Sequence, residues 1–243
     1  MKSYYILSLF PEPLKTMFVK GLFEKGIQSN LFSTDFIDIR DFATGKHKKV
    51  DDRPFGGKKG MILKAECIER AITSIENYED FRLLYTCPKG RVFDQSFASE
   101  LMKEKGVVIV SGYYGGIDHR LSQVLPLEAV SIGDFVLSSG ELPGLTMLDS
   151  IVRQIPGVLG NPRSFKEDSI VSNRIEGPVY TSPSSYKTYD VPDVLKSGHH
   201  EKIKNWKTNE SLRETLFKKP ELFLKSEPTD YEVELMTGLL QEE

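Results

Sequence analysis

The sequence predicts an α/β protein with a mainly parallel sheet and a small helical domain at its C-terminal end. Short apolar runs rich in β-forming residues alternate with segments in which apolar residues recur every three to four positions. Such alternation is typical of parallel strands joined by helices. A polar stretch with three prolines follows residue 160, and helical periodicity returns near residue 191. We therefore predict a main domain at residues 1–160, an interdomain linker at 161–185 and a helical domain at 186–243.

The elements of the first half follow from apolar runs and from the Gly and Pro residues between them. The run at 4–10 is rich in β-forming residues and predicts a buried strand that Pro11 ends. Apolar residues at helical spacing then predict one helix up to about Gly26. Further along we predict strands at 32–39, 81–87 and 106–112, helices at 65–75 and 96–105, a turn at 88–90 and a long loop at 41–60.

The segment at 128–160 joins a stretch of small residues to a helix. Its first part predicts one more strand within residues 130–137. Ser138 and Glu141 have the spacing of a capping box, and Pro143 suits a first turn, so a helix begins near here and runs to about residue 157. The apolar face of this helix consists of Leu145, Leu148, Val152 and Ile155. Later helices are predicted at 200–217 and 231–240.

Composition limits the classes of protein to which this chain can belong. With 39% hydrophobic and 28% charged residues, it has the composition of a folded domain with a full-sized core. The net charge of −3 gives no overall attraction to polyanions, so nucleic acid would be bound by local basic patches. Two cysteines are too few for a disulfide scaffold and indicate a reducing compartment. Without a signal-peptide pattern or a run of about 18 apolar residues, we expect a cytoplasmic protein that spans no membrane.

Glycine and other small residues follow three of the predicted strands, at 87–90, 111–116 and 131–140. The carboxyl ends of parallel strands lie on one edge of a sheet, where ligands bind. The chain has neither the GxGxxG fingerprint after a strand nor a P-loop, so the usual dinucleotide and triphosphate sites are not supported. Backbone groups at these ends suit a cofactor with an adenine and a methionine-like tail. The alternative is that all three are only tight turns.

The long loop is basic. Between Lys46 and Lys64 stand seven Lys or Arg residues and two Asp. Ammonium groups can replace the counterions that condense on a phosphate backbone, and Phe55 suits stacking on a base. The alternative is a solvated loop without a ligand. His47 and the two aspartates match no metal-ligand spacing, so no metal site is predicted here.

A second basic segment lies in the predicted helical domain. Between Lys196 and Lys219 there are seven basic and three acidic residues, with Trp206 among them. This pattern fits RNA binding, and it fits equally an ordinary helix with Trp206 in a small core. If both basic segments bind RNA, we expect the contacts to come from Lys48, Lys49, Arg53, Lys58, Lys59, His199 and Lys202.

Two charged residues near the end of the main domain each permit more than one interpretation. Arg153 follows Asp149 by four residues, which predicts either an ion pair worth about 0.2–0.5 kcal/mol or an arginine that stabilises developing negative charge. Asp168 lies in the predicted linker, where an aspartate is solvated, caps a turn or acts as a base. The residue pattern alone leaves these alternatives open.

Six motifs occur in an order that resembles one known family. They are Asp51-Asp-Arg-Pro-Phe-Gly-Gly, Ser131-Ile-Gly-Asp-Phe-Val-Leu-Ser-Ser-Gly-Glu-Leu-Pro143, Ile155-Pro-Gly-Val-Leu-Gly160, Glu167-Asp-Ser169, Tyr180-Thr and Val191-Pro-Asp-Val-Leu-Lys-Ser-Gly-His199. Together they make the chain resemble the bacterial tRNA (guanine-N1)-methyltransferases, which belong to the knotted SPOUT class of AdoMet-dependent enzymes. The resemblance runs from about Ser8 to Trp206, nearly the whole chain.

The resemblance implies the fold, chemistry and partners of that family. It implies a deep trefoil knot at the cofactor site, an obligate homodimer and methyl transfer from S-adenosyl-L-methionine (AdoMet) to N1 of the guanosine 3′ of the tRNA anticodon. Many members depend on a divalent ion such as Mg²⁺. Asp168 would be the general base with Ser169 beside it, and Arg153 the catalytic arginine. AdoMet would be bound by Tyr85, Pro88, Gly90, Gly112, Tyr114, Gly116, Ile132, Gly133, Asp134, Phe135, Val136, Leu137, Gly140 and Pro143.

The chain departs from the family pattern in its second cofactor loop. There it reads Gly112-Tyr-Tyr-Gly-Gly116, with Tyr113 and Gly115 at positions where the family usually has Arg and Glu. Two alternatives therefore stay open beside the main hypothesis. One is the same fold methylating another RNA site, and the other is a non-catalytic RNA-binding factor that retains the scaffold.

Overall fold

The chain divides into two compact units, Met1–Pro162 and Arg163–Glu243. The computed structural model describes residues 1–18, 21–57, 60–160, 170–225 and 228–241. No helix in these ranges is both long enough and apolar enough to cross a membrane.

A five-stranded parallel sheet forms the centre of the first unit. In chain order, the strands of this unit are β1 (Lys2–Ser8), β2 (Phe32–Asp38), β3 (Asp51–Asp52), β4 (Ile62–Leu63), β5 (Arg82–Val92), β6 (Gly106–Val110) and β7 (Leu127–Ser131). The central sheet has the order β2-β1-β6-β5-β7, and all neighbouring strands run parallel. The predicted α/β class with a parallel sheet is therefore confirmed.

Helices cover both faces of this sheet. They are α1 (Pro11–Phe18), α2 (Leu22–Gln28), α3 (Ala65–Thr73), α4 (Gln95–Lys103), α5 (Leu121–Val124) and α6 (Glu141–Val152). One apolar cluster packs α1, α4 and α6 on one face, and a second cluster packs α3 and α5 on the other. Because β6 is covered on both faces, every one of its residues is buried, which explains its unbroken apolar run.

The apolar face predicted for the helix after residue 140 is confirmed. Leu145, Leu148, Val152 and Ile155 are all buried, with at most 9% of any of them exposed. They belong to the cluster that joins α6 to the sheet. Residues spaced by three and four positions cover one side of a helix, so this spacing directs α6 onto the sheet and places its two ends.

Four predicted boundaries are wrong. α6 ends at Val152, about five residues before its predicted end. The single helix expected up to Gly26 is two helices, α1 and α2, and Gly21 before α2 has a φ of +74° that favours glycine. β1 ends at Ser8, and Pro11 instead begins α1, where a missing N–H leaves no hydrogen bond unmade. The last strand, β7, starts before the predicted window and ends at Ser131, because the following glycine leaves the extended conformation.

The described part of the second unit contains a hairpin and three α-helices. The elements are β8 (Ser185–Tyr186), β9 (Tyr189–Asp190), α7 (Asp193–Lys196), α8 (His200–Lys218) and α9 (Asp230–Gln241), with a 3₁₀ turn at Pro220–Lys225. The helices predicted at 200–217 and 231–240 correspond to α8 and α9. The short strands β8 and β9 pair antiparallel with each other.

Candidate functional site

Three segments far apart in the sequence meet at the carboxyl edge of the sheet. Just after β6, Gly112 donates its N–H to Thr86 Oγ1 of β5 at 3.0 Å. The carbonyl of Gly112 accepts from Gly140 N at 2.7 Å, and Gly140 is the N-cap residue of α6. We call Thr86, Gly112 and Gly140 the glycine junction. It joins β5 and the end of the neighbouring strand β6 to the start of a helix, and ligands bind at this edge in such sheets.

Close packing of backbone makes glycine necessary at this edge. A Cβ built on Gly140 would lie 2.5 Å from Gly112 N, 2.9 Å from Gly112 O and nearer still to Thr86 Oγ1. A Cβ on Gly90 would approach the backbone of Ala129 in β7 to less than 3.0 Å, which real Cβ atoms essentially never do. Glycine at these two positions therefore lets backbone segments from distant parts of the chain pack directly against each other.

The turn predicted at 88–90 does not follow a strand end. β5 continues to Val92, and its pairing with β7 shifts register between Thr86 and Arg91. Pro88 and Gly90 lie within this irregularity, where Pro88 has no ladder N–H to supply and Gly90 permits the close contact with β7. The prediction of three strand ends is thus wrong for this segment, although it stays next to the junction through Thr86.

Tyr85 precedes this irregularity and is partly buried. Burial raises the pKa of its phenol, and the neighbouring Cys87 raises it further, so the hydroxyl stays neutral at physiological pH. A neutral tyrosine beside the junction offers an apolar ring and one hydrogen-bonding hydroxyl rather than a charge.

The loop after β6 is held against residues 61–63. Gly115 N donates to Met61 O at 2.9 Å, and Leu63 N donates to Gly116 O at 2.9 Å. Tyr114 and Gly116 have positive φ values of 54° and 110°, as a tight turn requires. A Cβ on Gly115 would lie 3.0 Å from Met61 O. The glycine that departs from the family pattern therefore fits this close backbone contact.

The segment at 132–137 leaves β7 and exposes apolar side chains. Gly133 has a φ of 143°, and its N–H donates to Ser131 Oγ at 3.2 Å. Phe135, Val136 and Leu137 are 55%, 97% and 38% exposed. Consecutive exposed apolar residues beside a candidate site indicate a surface that another molecule covers.

The start of α6 is fixed by a buried carboxylate rather than by the predicted capping box. The helix begins at Glu141 as expected, but its N-cap residue is Gly140, and Ser138 is exposed two residues earlier. Glu141 is only 7% exposed, and its Oε1 accepts from Ser8 Oγ at the end of β1 at 2.7 Å. The glutamate points into the sheet, so the capping-box interpretation is wrong. Pro143 is buried in the first turn.

Arg153 lies at the other end of α6. Its N–H donates to Asp149 O at 3.2 Å, while its Nε is buried and has no hydrogen-bond partner among the described residues. Burial raises the pKa of Asp149, and the positive charge of Arg153 opposes that rise. Buried donors are nearly always paired in folded proteins, so a free Nε–H favours an arginine that pairs with a ligand.

Four residues predicted for the site lie outside the described residues. They are Asp168 and Ser169, for which catalysis is predicted, and Lys58 and Lys59, for which RNA binding is predicted. Their roles stay predictions.

The remaining residues predicted to bind RNA are exposed. In the basic loop, Lys48 and Lys49 lie 3.4 Å and 3.1 Å from the carboxylates of Asp41 and Asp52. Exposed pairs of this kind are worth at most about 1 kcal/mol, so phosphates can compete for these lysines. Phe55 is 99% exposed. Arg53, His199 and Lys202 are exposed as well.

Neither cavity size nor metal ligands identify the glycine junction. A cavity of about 530 Å³ lies at the opposite, amino edge of the sheet, lined among others by Lys2, Phe81 and Lys105. Within the described ranges, no group of three His, Cys, Asp or Glu side chains forms a metal site. The junction is recognised by its backbone contacts alone.

Sequence reasoning missed two side chains of this edge, Thr86 and Ser8. Thr86 supplies the acceptor for Gly112 N, and Ser8 supplies the donor for Glu141. Ser8 ends β1 and Thr86 lies in β5 just before its shift in register, and both follow apolar residues. A hydroxyl residue after apolar strand residues could have indicated these roles, because a buried hydroxyl needs a hydrogen-bond partner.

We expect Thr86→Val to weaken cofactor binding at this edge. Valine keeps the shape but leaves Gly112 N without its acceptor, at a cost of about 1–3 kcal/mol. We expect a rise of roughly tenfold in the KM for the cofactor with a smaller change in kcat. The matched control is Thr73→Val on α3, where the exposed hydroxyl bonds only its own helix, to Arg70 O. Equal KM values for the two variants would contradict this role for Thr86.

Comparison with known proteins identifies the family. The family model described as tRNA (Guanine-1)-methyltransferase TrmD matches residues 1–225. The chain is 41% identical over 220 residues to the tRNA (guanine-N(1)-)-methyltransferase of Desulforamulus reducens, covering 89% of this chain and 87% of the relative. It is 40% identical over 236 residues to the enzyme of that name from Staphylococcus epidermidis, covering 97% and 96% of the two chains. The resemblance is confirmed, and the chain belongs to the tRNA (guanine-1)-methyltransferase family.

Proposed function

We propose that this protein transfers a methyl group from AdoMet to N1 of the guanosine 3′ of the tRNA anticodon. The observation that carries the proposal is the glycine junction at the carboxyl edge of the sheet, in a chain whose family membership extends over residues 1–225. The same membership favours this reaction over the two alternatives, another RNA site and a non-catalytic RNA-binding factor.

The residues at this edge fit AdoMet. An adenine ring and a short tail can be bound by backbone N–H and C=O groups, and the glycine junction with Gly90 brings the backbone of three distant segments close together. We assign the cofactor to the residues predicted for it, from Tyr85 in β5 to Pro143 in α6. When bound, AdoMet supplies a methyl group activated by its sulfonium. Because no described side chains form a set of metal ligands, we derive no step through Mg²⁺.

The protein's own groups must supply a base and stabilise charge. Guanine N1 carries a proton and is a poor nucleophile until a base removes that proton. Asp168 is our proposed base, with Ser169 beside it. The resulting negative charge spreads to O6, where Arg153 can donate its free Nε–H. The remaining contribution is to hold N1 in line with the methyl group.

Within one copy of the chain, the proposed cofactor site and Arg153 lie at opposite ends of α6. α6 has 12 residues and is about 18 Å long, with Gly140 at its start and Arg153 at its end. We propose a homodimer in which two copies of α6 lie antiparallel, so that Arg153 of one protomer approaches the glycine junction of its partner. The exposed Phe135, Val136 and Leu142 supply apolar surface for that interface.

The backbone crossing at the glycine junction also supports the predicted deep trefoil knot. Segments around residues 86, 112 and 140 pass one another there at distances that only glycine permits. We propose that the chain threads through itself at this crossing, and that the knot holds the cofactor loop.

We assign tRNA binding to the basic loop of the main domain and to the predicted helical domain at 186–243. The linker at 161–185 connects these two domains. Exposed cations near Lys48 and at the start of α8 suit contacts with phosphate. A tRNA substrate places the protein in the cytoplasm.

A methyl-transfer assay tests the proposal. An unmodified tRNA transcript is incubated with AdoMet labelled in its methyl group, beside a transcript with adenosine in place of the target guanosine. We expect about one methyl group per transcript on the first and background on the second. In the same assay, Asp168→Asn should lower turnover by roughly 10²–10⁴-fold, because it removes the base, while AdoMet binding measured by calorimetry stays unchanged.

Each other outcome contradicts a defined part of the proposal. Methylation that ignores the substituted base would indicate another RNA site. Absence of transfer with intact tRNA binding would indicate a non-catalytic RNA-binding factor. Near-normal turnover of Asp168→Asn would exclude Asp168 as the base.

A further inference from the structure

A cavity of about 420 Å³ lies within the second unit, between residues 172–179 and the middle of α8. Its lining includes apolar side chains, Val179 and Trp206, and polar ones, Lys207, Ser211 and Glu232. The proposed methyl transfer uses none of these residues. Concave sites with apolar walls and a few convergent polar groups are the usual form of ligand-binding pockets.

Buried hydrogen bonds fix one wall of this cavity to α8. Ile175 N donates to Thr215 Oγ1 at 2.8 Å, and Ser211 Oγ donates to Ile175 O at 2.6 Å. Thr215 is fully buried, and Leu212 beside it is 1% exposed. The wall is therefore part of the folded unit, so the cavity keeps its shape in the absence of a ligand.

A shielded ion pair forms the polar side of the cavity. Arg174 Nη2 lies 3.1 Å from Glu232 Oε1, with the two side chains 14% and 17% exposed. Arg174 also lies over the ring of Phe223 at 4.5 Å, and Glu232 Oε2 accepts from Thr229 N at 2.8 Å. Several contacts thus hold each group in one orientation. Oriented donors and acceptors can read the polar edge of a planar ligand.

Trp206 lines the apolar side, and the ring of Tyr180 lies next to it outside the lining. Trp206 is half-buried, and Tyr180 is 48% exposed, with 6.3 Å between the centroids of the two rings. Unpaired bases of RNA stack on such partly open aromatic faces.

The lining of the cavity is balanced in charge, with Arg174 and Lys207 against Glu176 and Glu232, but lysines stand beside its aromatic ring. Lys202 precedes Trp206 by four residues on α8, so the two side chains lie on the same face of the helix. Lys207 lines the cavity and is exposed, and His199 stands just before the helix. An aromatic ring with cations beside it matches a base together with its phosphate.

We propose that this cavity binds one unpaired nucleobase of the RNA substrate. The base stacks on Trp206 with its polar edge toward the Arg174–Glu232 pair, and its phosphate lies near Lys207. The proposal rests on the proposed function, because that function names RNA as the substrate. It adds a nucleobase-binding site that the methyl-transfer mechanism does not require.

Intrinsic fluorescence tests the proposal directly, because Trp206 is the single tryptophan of the chain. The full-length protein is titrated with an unmodified tRNA transcript and with a blunt RNA duplex of equal length that has no unpaired bases. We expect the transcript to quench Trp206 to saturation and the bound duplex to leave its emission unchanged. Unchanged emission with bound transcript, or equal quenching by the duplex, would overturn the proposal.

A second measurement uses the affinity for the transcript. Trp206→Leu removes the stacking surface, so we expect its Kd to rise roughly 5- to 100-fold, and Trp206→Phe should lie between it and the unaltered protein. Phe217→Leu is the matched control, since Phe217 is an aromatic residue of the same helix that is 47% exposed, and it should bind within about twofold of the unaltered protein. If Trp206→Leu fails to fold, as judged by circular dichroism, the fluorescence titration decides alone.

Failure of this inference differs from failure of the proposed function. Methylation of the target guanosine without quenching of Trp206, and with unchanged binding by a folded Trp206→Leu, would overturn the cavity proposal alone. Saturating quenching by a transcript that is not methylated would support the cavity and contradict the methyl transfer.

Discussion

Gly140→Ala is expected to weaken AdoMet binding strongly and to destabilise the first unit. The new Cβ would lie 2.5 Å from Gly112 N and nearer still to Thr86 Oγ1, so the backbone hydrogen bond from Gly140 N to Gly112 O cannot persist. Overpacking of this kind costs about 1–3 kcal/mol. We expect the Kd for AdoMet to rise roughly 100-fold, measured by calorimetry, and Tm to fall by about 2–12 °C.

The backbone conformation makes this test specific for packing. Gly140 has φ −85° and ψ −1°, which alanine adopts without strain, so any loss comes from the close contacts. Gly160→Ala is the matched control, because a Cβ on Gly160 meets no atom of the described residues within 4 Å. Removing only the threonine hydroxyl with Thr86→Ala should not restore binding to Gly140→Ala, since Gly112 N remains in the way. Normal AdoMet binding by Gly140→Ala would contradict our assignment of the cofactor site.

Arg153→Gln is expected to lower kcat by roughly two to three orders of magnitude. Loss of one donor to a developing oxyanion costs about 2.7–4 kcal/mol in other enzymes, and the Nε–H of Arg153 is buried without a partner in the described chain. AdoMet affinity should stay unchanged, because Arg153 is assigned to guanine O6 and is not among the residues assigned to AdoMet. Single-turnover kinetics with saturating tRNA measure the chemical step.

A second arginine serves as the control for the loss of one positive charge. Arg70 lies on α3 and bonds within its own helix, to Glu66 O at 3.0 Å, so Arg70→Gln removes the same charge away from the site. We expect its rate to match that of the unaltered protein. A kcat for Arg153→Gln within about threefold of the unaltered value would exclude Arg153 from the reaction.

Most of the fold could be predicted from apolar patterns, because burial determines both where apolar residues occur in the sequence and how the elements pack. The run at 106–110 is buried on two faces and reads as a continuous strand, and the spacing from Leu145 to Ile155 specifies the buried side of α6. The errors occurred where tertiary contacts override local preference. Glu141 bonds Ser8 across the sheet instead of capping its own helix, and β5 continues past Pro88 because its last residues pair again with β7.

The site could be predicted less completely, since its geometry depends on backbone contacts between distant segments. Glycines at positions 90, 112 and 140 indicated a ligand edge, but nothing local shows that Gly140 lies against Gly112. Thr86 was missed because its role exists only once β6 lies beside β5. Roles for Asp168, Ser169 and Arg153 came from family resemblance, since single polar residues carry no spacing signal.

The glycine junction makes ligand binding a property of the whole first unit. Its members are separated by 26 residues or more along the chain, so a fragment that lacks any one of these three segments cannot form it. A ligand that requires the junction binds only the folded form, so it shifts the equilibrium between the folded and unfolded chain toward the folded form. At a concentration of about 100 times Kd, such a ligand adds roughly 2.7 kcal/mol to the free energy of unfolding. Since proteases act on opened chains, cofactor supply in the cell would then set how long each molecule survives, as well as how fast it works.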